Sequence, residues 1–169
     1  MKVLETERLV LRWLEATDAA FILELVNDPS WIKYIGDRGI RTLEQARAYI
    51  EDGPVAMYHR EGFGLYCTEL KSSGTQIGIC GLIKRDTLPD ADLGFAFLPQ
   101  YRGQGYACES ALAAMSLGKN TFGLQRIVAI TSPANEVSAR LLEKLGFSFE
   151  KLVRLSEGAE ELKLFSAKV

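Results

Sequence analysis

The stretch Leu98-Pro99-Gln100-Tyr101-Arg102-Gly103-Gln104-Gly105-Tyr106-Ala107-Cys108-Glu109-Ser110-Ala111 decides how this chain folds. An apolar run from Leu93 to Leu98 stops at Pro99, a short turn carries Arg102, Gly103 and Gly105, and an alanine-rich helical pattern runs from about Tyr106 to Lys119. This reads as a strand, a glycine turn and a helix N-terminus. Such a turn presents unpaired backbone amides and the positive end of the helix dipole, which together suit a phosphate or pyrophosphate. The glycines let that anion approach because no Cβ intervenes. The same residues also read as a helix that simply starts in a flexible turn.

Two nucleotide-binding patterns fit poorly. A P-loop needs Lys-Ser/Thr after its last glycine, and here Gly105 is followed by Tyr106-Ala107. A dinucleotide fingerprint needs G-x-G-x-x-G/A and an acid about 20 residues on. Gly103-x-Gly105 supplies the first half, Cys108 stands in place of the third glycine, and Phe122 to Arg126 carries no acid. The string Arg102-x-x-Gly105-x-Ala107, after an apolar strand and a proline, matches a third pattern, Q/R-x-x-G-x-G/A.

Two further segments join it. Downstream, the strand pattern Arg126-Ile-Val-Ala-Ile-Thr-Ser132 leads to Pro133-Ala134 and then Asn135-x-x-Ser138-x-x-Leu141-Leu142-Glu143-Lys144-Leu145-Gly146-Phe147. Upstream, Thr6-Glu7-Arg8-Leu9-Val10-Leu11-Arg12 is followed by Asp18 and Asn27-Asp28-Pro29. In this order the three resemble the GCN5-related N-acetyltransferases (GNAT), and the N-terminal segment resembles the RimJ/RimL-like branch. The resemblance runs from about Thr6 to Phe149.

Composition is ordinary for a soluble globular protein. The 169 residues are enough for one well-buried domain, taken as residues 1–169. They are 47% hydrophobic and 25% charged with a net charge of −2, which argues against a basic nucleic-acid-binding face. Cys67, Cys80 and Cys108 are far apart and the chain has one histidine, His59, so no Cys/His metal set is expected. Three unpaired cysteines without a signal peptide point to a reducing, cytoplasmic setting. No apolar run reaches the roughly 18 residues a membrane span needs.

The periodicities give the element order β-α-α-β-β-β-α-β-α-β-β. Glu7 to Leu14 alternates as a strand, and Asp18 to Val26 has helical spacing. Thr42-Leu43-Glu44-Gln45 is a capping box that opens a helix to about Asp52, where Gly53-Pro54 is expected to stop it. Strands are expected over 63–70, 76–84, 90–98, 126–132, 147–154 and 161–167, with a helix capped by Asn135. His59 then falls in a surface loop. This is a mixed α/β (α+β) domain with a largely antiparallel sheet. The family resemblance implies about seven strands and four helices.

The resemblance further implies acetyl-CoA as co-substrate, no metal, and direct transfer of acetyl to a primary amine in a ternary complex. The acceptor is a peptide N-terminus or a small-molecule amine, and the protein is a monomer or homodimer. The implied cofactor-binding residues are Phe95, Ala96 and Phe97, whose backbone pairs with the pantetheine arm, then Arg102, Gly103, Gln104, Gly105, Tyr106 and Ala107 around the pyrophosphate, with Asn135 and Ser138 near the thioester. Arg102 also reads as a surface turn arginine, and core packing of Phe95 and Phe97 and helix capping by Asn135 are compatible with the implied roles.

Ser138 lies one helical turn beyond Asn135 and is implied as a donor to the departing sulfur, or is an ordinary first-turn serine. Many relatives carry a tyrosine seven residues after the asparagine. Here that residue is Leu142, which cannot donate a proton. Asp92 is the candidate base, its other reading being a solvated acid at a strand end; Trp31 and Tyr34 are candidate acceptor contacts, or core residues that staple helices to the sheet. Two alternatives stay open: an acyl-CoA-binding or sensing module without turnover, and a dinucleotide oxidoreductase.

Overall fold

The computed structural model describes all residues from Met1 to Val169. Its backbone is one sheet in the order β1-β2-β3-β4-β5-β6-β8-β7. The N-terminal half comprises β1 (Lys2–Glu5), β2 (Leu9–Arg12), α1 (Ala19–Val26), α2 (Pro29–Tyr34), α3 (Leu43–Ile50), α4 (Ala56–Glu61), β3 (Leu65–Leu70) and β4 (Gln76–Ile83). The C-terminal half comprises β5 (Asp92–Phe97), α5 (Tyr106–Asn120), β6 (Arg126–Thr131), α6 (Glu136–Lys144), β7 (Ser148–Val153) and β8 (Leu162–Lys168). Every pairing is antiparallel except that of β5 with β6. A parallel pair needs a crossover connection, and α5 supplies it.

The mixed, largely antiparallel architecture expected from the sequence is present, with one more strand and two more helices. β1 is short and half-exposed and carries little periodic signal. α2 is a six-residue helix with Asp28 as its N-cap and Pro29 in its first turn, so the Asn27-Asp28-Pro29 string that ends α1 also starts the next helix.

Gly53-Pro54 does not stop the third helix. Residues Glu51–Val55 form a π-helical turn with Pro54 inside it, and the helix resumes as α4 until Gly62 ends it in the left-handed region. A π turn releases backbone amides from the i−4 ladder, so a residue without an N–H is tolerated there. His59 is therefore on a helix, exposed, with its ring edge-on to Trp13.

The two faces of the sheet carry separate cores. On one face α5 buries Ala111, Ala114 and Met115 against Cys80, Leu82, Leu93 and Phe97. On the other, α1, α2 and α3 bury Ile22, Leu25, Trp31, Ala46 and Ile50 against Cys67 and Ile79. A buried ion pair locks the second layer to the sheet. Arg12 donates to both carboxylate oxygens of Asp18 at 2.9 and 2.8 Å, and the Gln76 amide adds a bond at 2.6 Å. Burial alone would raise the pKa of Asp18, but the bonds from Arg12, the Glu15 amide and Gln76 together outweigh it and hold the carboxyl below its ordinary range.

Candidate active site

β5 and β6 meet at only one point. Asp92 is opposite Val128, whose N–H donates to Ala91 O at 3.0 Å, and no further pairing follows. β5 stays paired with β4 through Phe97, opposite Gly78. From Leu93 onward it therefore has a neighbour on one side only, and a cleft opens on the other. The Phe97 carbonyl is turned into that cleft, where it accepts from Arg102 Nε at 3.0 Å. Alternation along an antiparallel ladder turns the N–H and C=O of Phe95 the same way. Phe95 thus offers a backbone donor and acceptor to whatever enters the gap.

The glycine turn closes one end of this cleft. Gly103 and Gly105 have φ of 72° and 85°, the left-handed region where a Cβ is penalised. No side chain caps α5. The first amide of the helix region to find an internal partner is that of Glu109, bonded to Gly105 O, so the backbone N–H groups from Gly103 through Cys108 are unpaired within the protein. Such a row of donors at the start of a fifteen-residue helix fits a phosphate or diphosphate. An added Cβ at Gly103 would meet nothing, and at Gly105 only Arg8 Nη2 at 3.2 Å.

Two cavities run along the cleft. One, of about 650 Å³, is lined by the turn residues Arg102, Gly103, Gly105, Tyr106 and Ala107. The other, of about 430 Å³, reaches past Asp92 toward the α3–α4 junction. Trp31, Tyr34, Phe95, Ala96, Asn135 and Ser138 line both, so the two spaces share a wall. These volumes lie in the range of small-ligand sites.

The structure brings the sequence-selected residues to this cleft with two qualifications. Gln104 lines neither cavity: its carbonyl accepts from Arg8 Nη1 at 3.0 Å and its side chain donates to Gln100 O. Arg102 lines the turn, but its guanidinium points back into the protein, bonded to Asp28 at 2.6 Å, Ser30 at 3.2 Å and the Phe97 carbonyl.

Asn135 caps α6, accepting from the Ser138 amide at 3.2 Å, which leaves the Ser138 hydroxyl without a partner inside the protein. Leu142 is buried and lines the smaller cavity. Trp31 is both core and lining, half-buried Tyr34 belongs to the lining alone, and Cys108 is half-buried beside the turn.

Asp92 is not a solvated strand-end acid. It is 1% exposed. Burial pushes the pKa of its carboxyl above the ordinary carboxylate value, opposed by Arg85, whose Nε donates to Oδ1 at 3.1 Å. A buried carboxyl with raised basicity in a cleft has the properties of a proton acceptor.

Sequence reasoning missed Arg8, Arg38, Tyr49 and Arg85. Arg8 comes from the far end of the chain, stacks on the Tyr106 ring at 4.3 Å and binds Glu109 at 2.8 Å. Its presence in the Thr6-Glu7-Arg8-Leu9 string was the only available signal. Arg38, Tyr49 and Arg85 line the smaller cavity from two loops and the half-buried end of α3, where no spacing marks them. No group of three or more His, Cys, Asp or Glu side chains is placed to hold a metal ion, and no helix is long and apolar enough to cross a membrane.

Known proteins share this arrangement. The model of the acetyltransferase (GNAT) domain matches residues 8–148. The uncharacterized N-acetyltransferase YoaA of Bacillus subtilis is 30% identical over 154 residues, covering 90% of this chain and 86% of YoaA. The spermidine N(1)-acetyltransferase of Escherichia coli K12 is 26% identical over 141 residues, covering 83% of this chain and 73% of that protein. The crystal structure of an acetyltransferase from Agrobacterium tumefaciens superposes with a TM-score of 0.83 at 26% identity, over 99% of this chain and 94% of that one. The splayed strands, the amide row and the sequence match lead to one conclusion: the chain belongs to the GNAT family of acetyltransferases.

Proposed function

We propose that this protein, acting as one domain over residues 1–169, transfers acetyl from acetyl-CoA directly to a primary amine of a peptide N-terminus or small molecule, in a ternary complex. The observation that carries this reading is the junction of the two cavities at Phe95, Ala96, Asn135 and Ser138, with the amide row of Gly103 to Cys108 at one end. Acetyl-CoA would lie along β5 with its diphosphate on the amide row, and it supplies an activated thioester carbonyl. The acceptor would enter from the other cavity. A shared wall favours direct transfer over a relay through the enzyme.

Each residue then has a chemical task. The Phe95 N–H, turned into the cleft, donates to the carbonyl oxygen as negative charge grows on it; one such donor contributes on the order of 3 kcal/mol. Asp92 accepts the proton that the attacking nitrogen must lose, directly or through a water. The C–N bond forms, the C–S bond breaks, and the sulfur takes a proton or hydrogen bond from the Ser138 hydroxyl. A thiol is a good leaving group, so this donor is of moderate weight, which suits a site where Leu142 replaces a tyrosine. The Thr6-to-Arg12 string supports placement beside the RimJ/RimL-like proteins, and three free thiols, two of them buried, support a reducing cytoplasmic setting.

The test is release of free CoA thiol when the protein is mixed with acetyl-CoA and a panel of amines, beside calorimetric titration of acetyl-CoA alone. Binding with turnover supports the reading. Binding with no turnover on any acceptor favours a sensing module, and no binding overturns both.

A further inference from the structure

The acceptor-side cavity holds two guanidinium groups that the transfer step does not use. Arg38, in the loop between α2 and α3, lines it and makes neither a hydrogen bond nor an ion pair. Arg85, after β4, binds Asp92 through Nε, while its Nη groups have no acceptor in the protein. The Tyr49 ring lines the same wall, and both guanidiniums act on its hydroxyl, opposing the rise that burial causes. The acidic groups on this cavity are Asp92, already bonded to Arg85, and exposed Glu160. The remaining lining is largely apolar, with Tyr34, Met57, Ile83 and Leu155.

Guanidinium donors without a protein partner, exposed on Arg38 and half-buried on Arg85, at the edge of a largely apolar lining match a carboxylate, which accepts their planar fork. Resting on the acetyltransferase reading above, we propose that the acceptor is an amine that also carries a carboxylate and an apolar body, namely an apolar α-amino acid. Its carboxylate is held by Arg38 and Arg85, and its side chain lies on the apolar lining. Amine and carboxylate share one carbon in such a molecule. A carboxylate at the free end of Arg85 therefore brings the amine beside Asp92, which Arg85 itself contacts. A polyamine would instead set cations against two guanidiniums, a like-charge arrangement that disfavours it. The products are the N-acetyl amino acid and CoA; the proton from nitrogen leaves through Asp92.

The experiment compares leucine and phenylalanine with isoamylamine and phenethylamine, which lack only the carboxylate, and with spermidine. Thiol release from acetyl-CoA by the whole protein is the readout, with acetyl-CoA binding measured in parallel. We expect kcat/KM to favour each amino acid over its decarboxylated partner by roughly tenfold or more. In Arg38→Gln that ratio falls toward unity through a raised KM for the amino acid, and Arg38→Lys recovers part of it. Equal or better use of the decarboxylated amines or spermidine overturns the inference and leaves acetyl transfer standing. So does a ratio that Arg38→Gln leaves intact, or binding of acetyl-CoA without turnover of either amino acid. Failure to bind acetyl-CoA overturns the transferase reading, and the inference with it.

Discussion

Arg102 Nη2 lies 2.6 Å from Asp28 Oδ2, which ties the glycine turn after β5 to the N-cap of α2. Asp28 is 8% exposed and also accepts from the Ser30 amide, so one carboxylate both starts the helix and anchors the turn. The Arg102 Nε bond to the Phe97 carbonyl fixes the end of β5 in the same unit. The two walls of the cleft, cofactor side and acceptor side, are thereby held in one register.

If that link positions α2, its two ends are energetically coupled. Arg102→Gln and Asp28→Asn should each destabilise the fold by about 1–2 kcal/mol, and the double variant by clearly less than their sum. Both should raise the acceptor KM more than they weaken acetyl-CoA binding, because Trp31 and Tyr34 ride on α2. Denaturant melts and steady-state kinetics on the four proteins of the cycle measure this. Additive stabilities, or a loss confined to acetyl-CoA affinity, would return Arg102 to the role of a plain phosphate cation.

Gly105→Glu should abolish acetyl-CoA binding with the fold intact. Two effects must be separated, because Gly105 sits at φ 85° and any side chain there is strained by about 1–2 kcal/mol. Gly105→Ala carries the strain without the charge. That strain is present with and without ligand, so the alanine variant should lose about 1–2 kcal/mol of fold stability yet keep acetyl-CoA affinity within a few-fold in calorimetry, whereas the glutamate variant should lose binding, since a carboxylate would face the amide row meant for the diphosphate. Equal losses would remove the electrostatic argument for the turn.

Ser138→Ala tests the sulfur side. The Asn135 cap accepts from the backbone amide of residue 138 and is preserved in the variant. A fall in kcat of about tenfold, below the usual hundredfold or more for a positioned proton donor because the leaving group is a thiol, with acetyl-CoA affinity retained, is the expected result. Asn135→Ala, by contrast, should cost about 1 kcal/mol of stability through loss of the cap. A Ser138→Ala enzyme with the parent kcat would leave the thiolate to solvent.

Much of this was legible in the sequence. Apolar runs located the central strands β3, β4, β5 and β6, which are buried on both faces, and helical spacing located α5 and α6. The glycines at 103 and 105 were informative for the same reason they are needed: a backbone at positive φ excludes other residues. Misleading signals came from local rules that tertiary context overrides. Gly53-Pro54 is a helix stop in isolation, yet the π turn carries the chain through it. Arg102 looked like a cation for the phosphate because its sequence neighbours are glycines, and Asp28 was too far along the chain to pair with it by inspection. Asp92 read as a solvated acid beside Pro89 and Asp90, yet it lies at the single β5–β6 contact and is buried. The acceptor wall comes from loops without period, so Arg38 and Arg85 left no pattern to find.

The pair Asp92–Arg85 gives the pH dependence its sign. Burial raises the pKa of Asp92 and Arg85 lowers it, with burial dominant. If deprotonated Asp92 accepts the amine proton, the acid limb of kcat/KM should fall above the ordinary carboxylate range, and activity should rise with pH through that limb. Removing the opposing cation in Arg85→Gln raises the pKa further, so the limb moves to higher pH. The stability linkage has the same origin: a carboxyl raised in the folded state favours the fold most at low pH and loses that contribution as pH rises through its folded value, so the benefit of Asp92→Asn to stability, if the amide packs equally well, should grow toward alkaline pH. Kinetics from acid to neutral pH on the parent, Arg85→Gln and Asp92→Asn proteins decide the point. Asp92→Asn should remove the limb and lower kcat by about a hundredfold or more. A limb that survives in Asp92→Asn, or fails to move in Arg85→Gln, would assign the proton transfer to another group or to water.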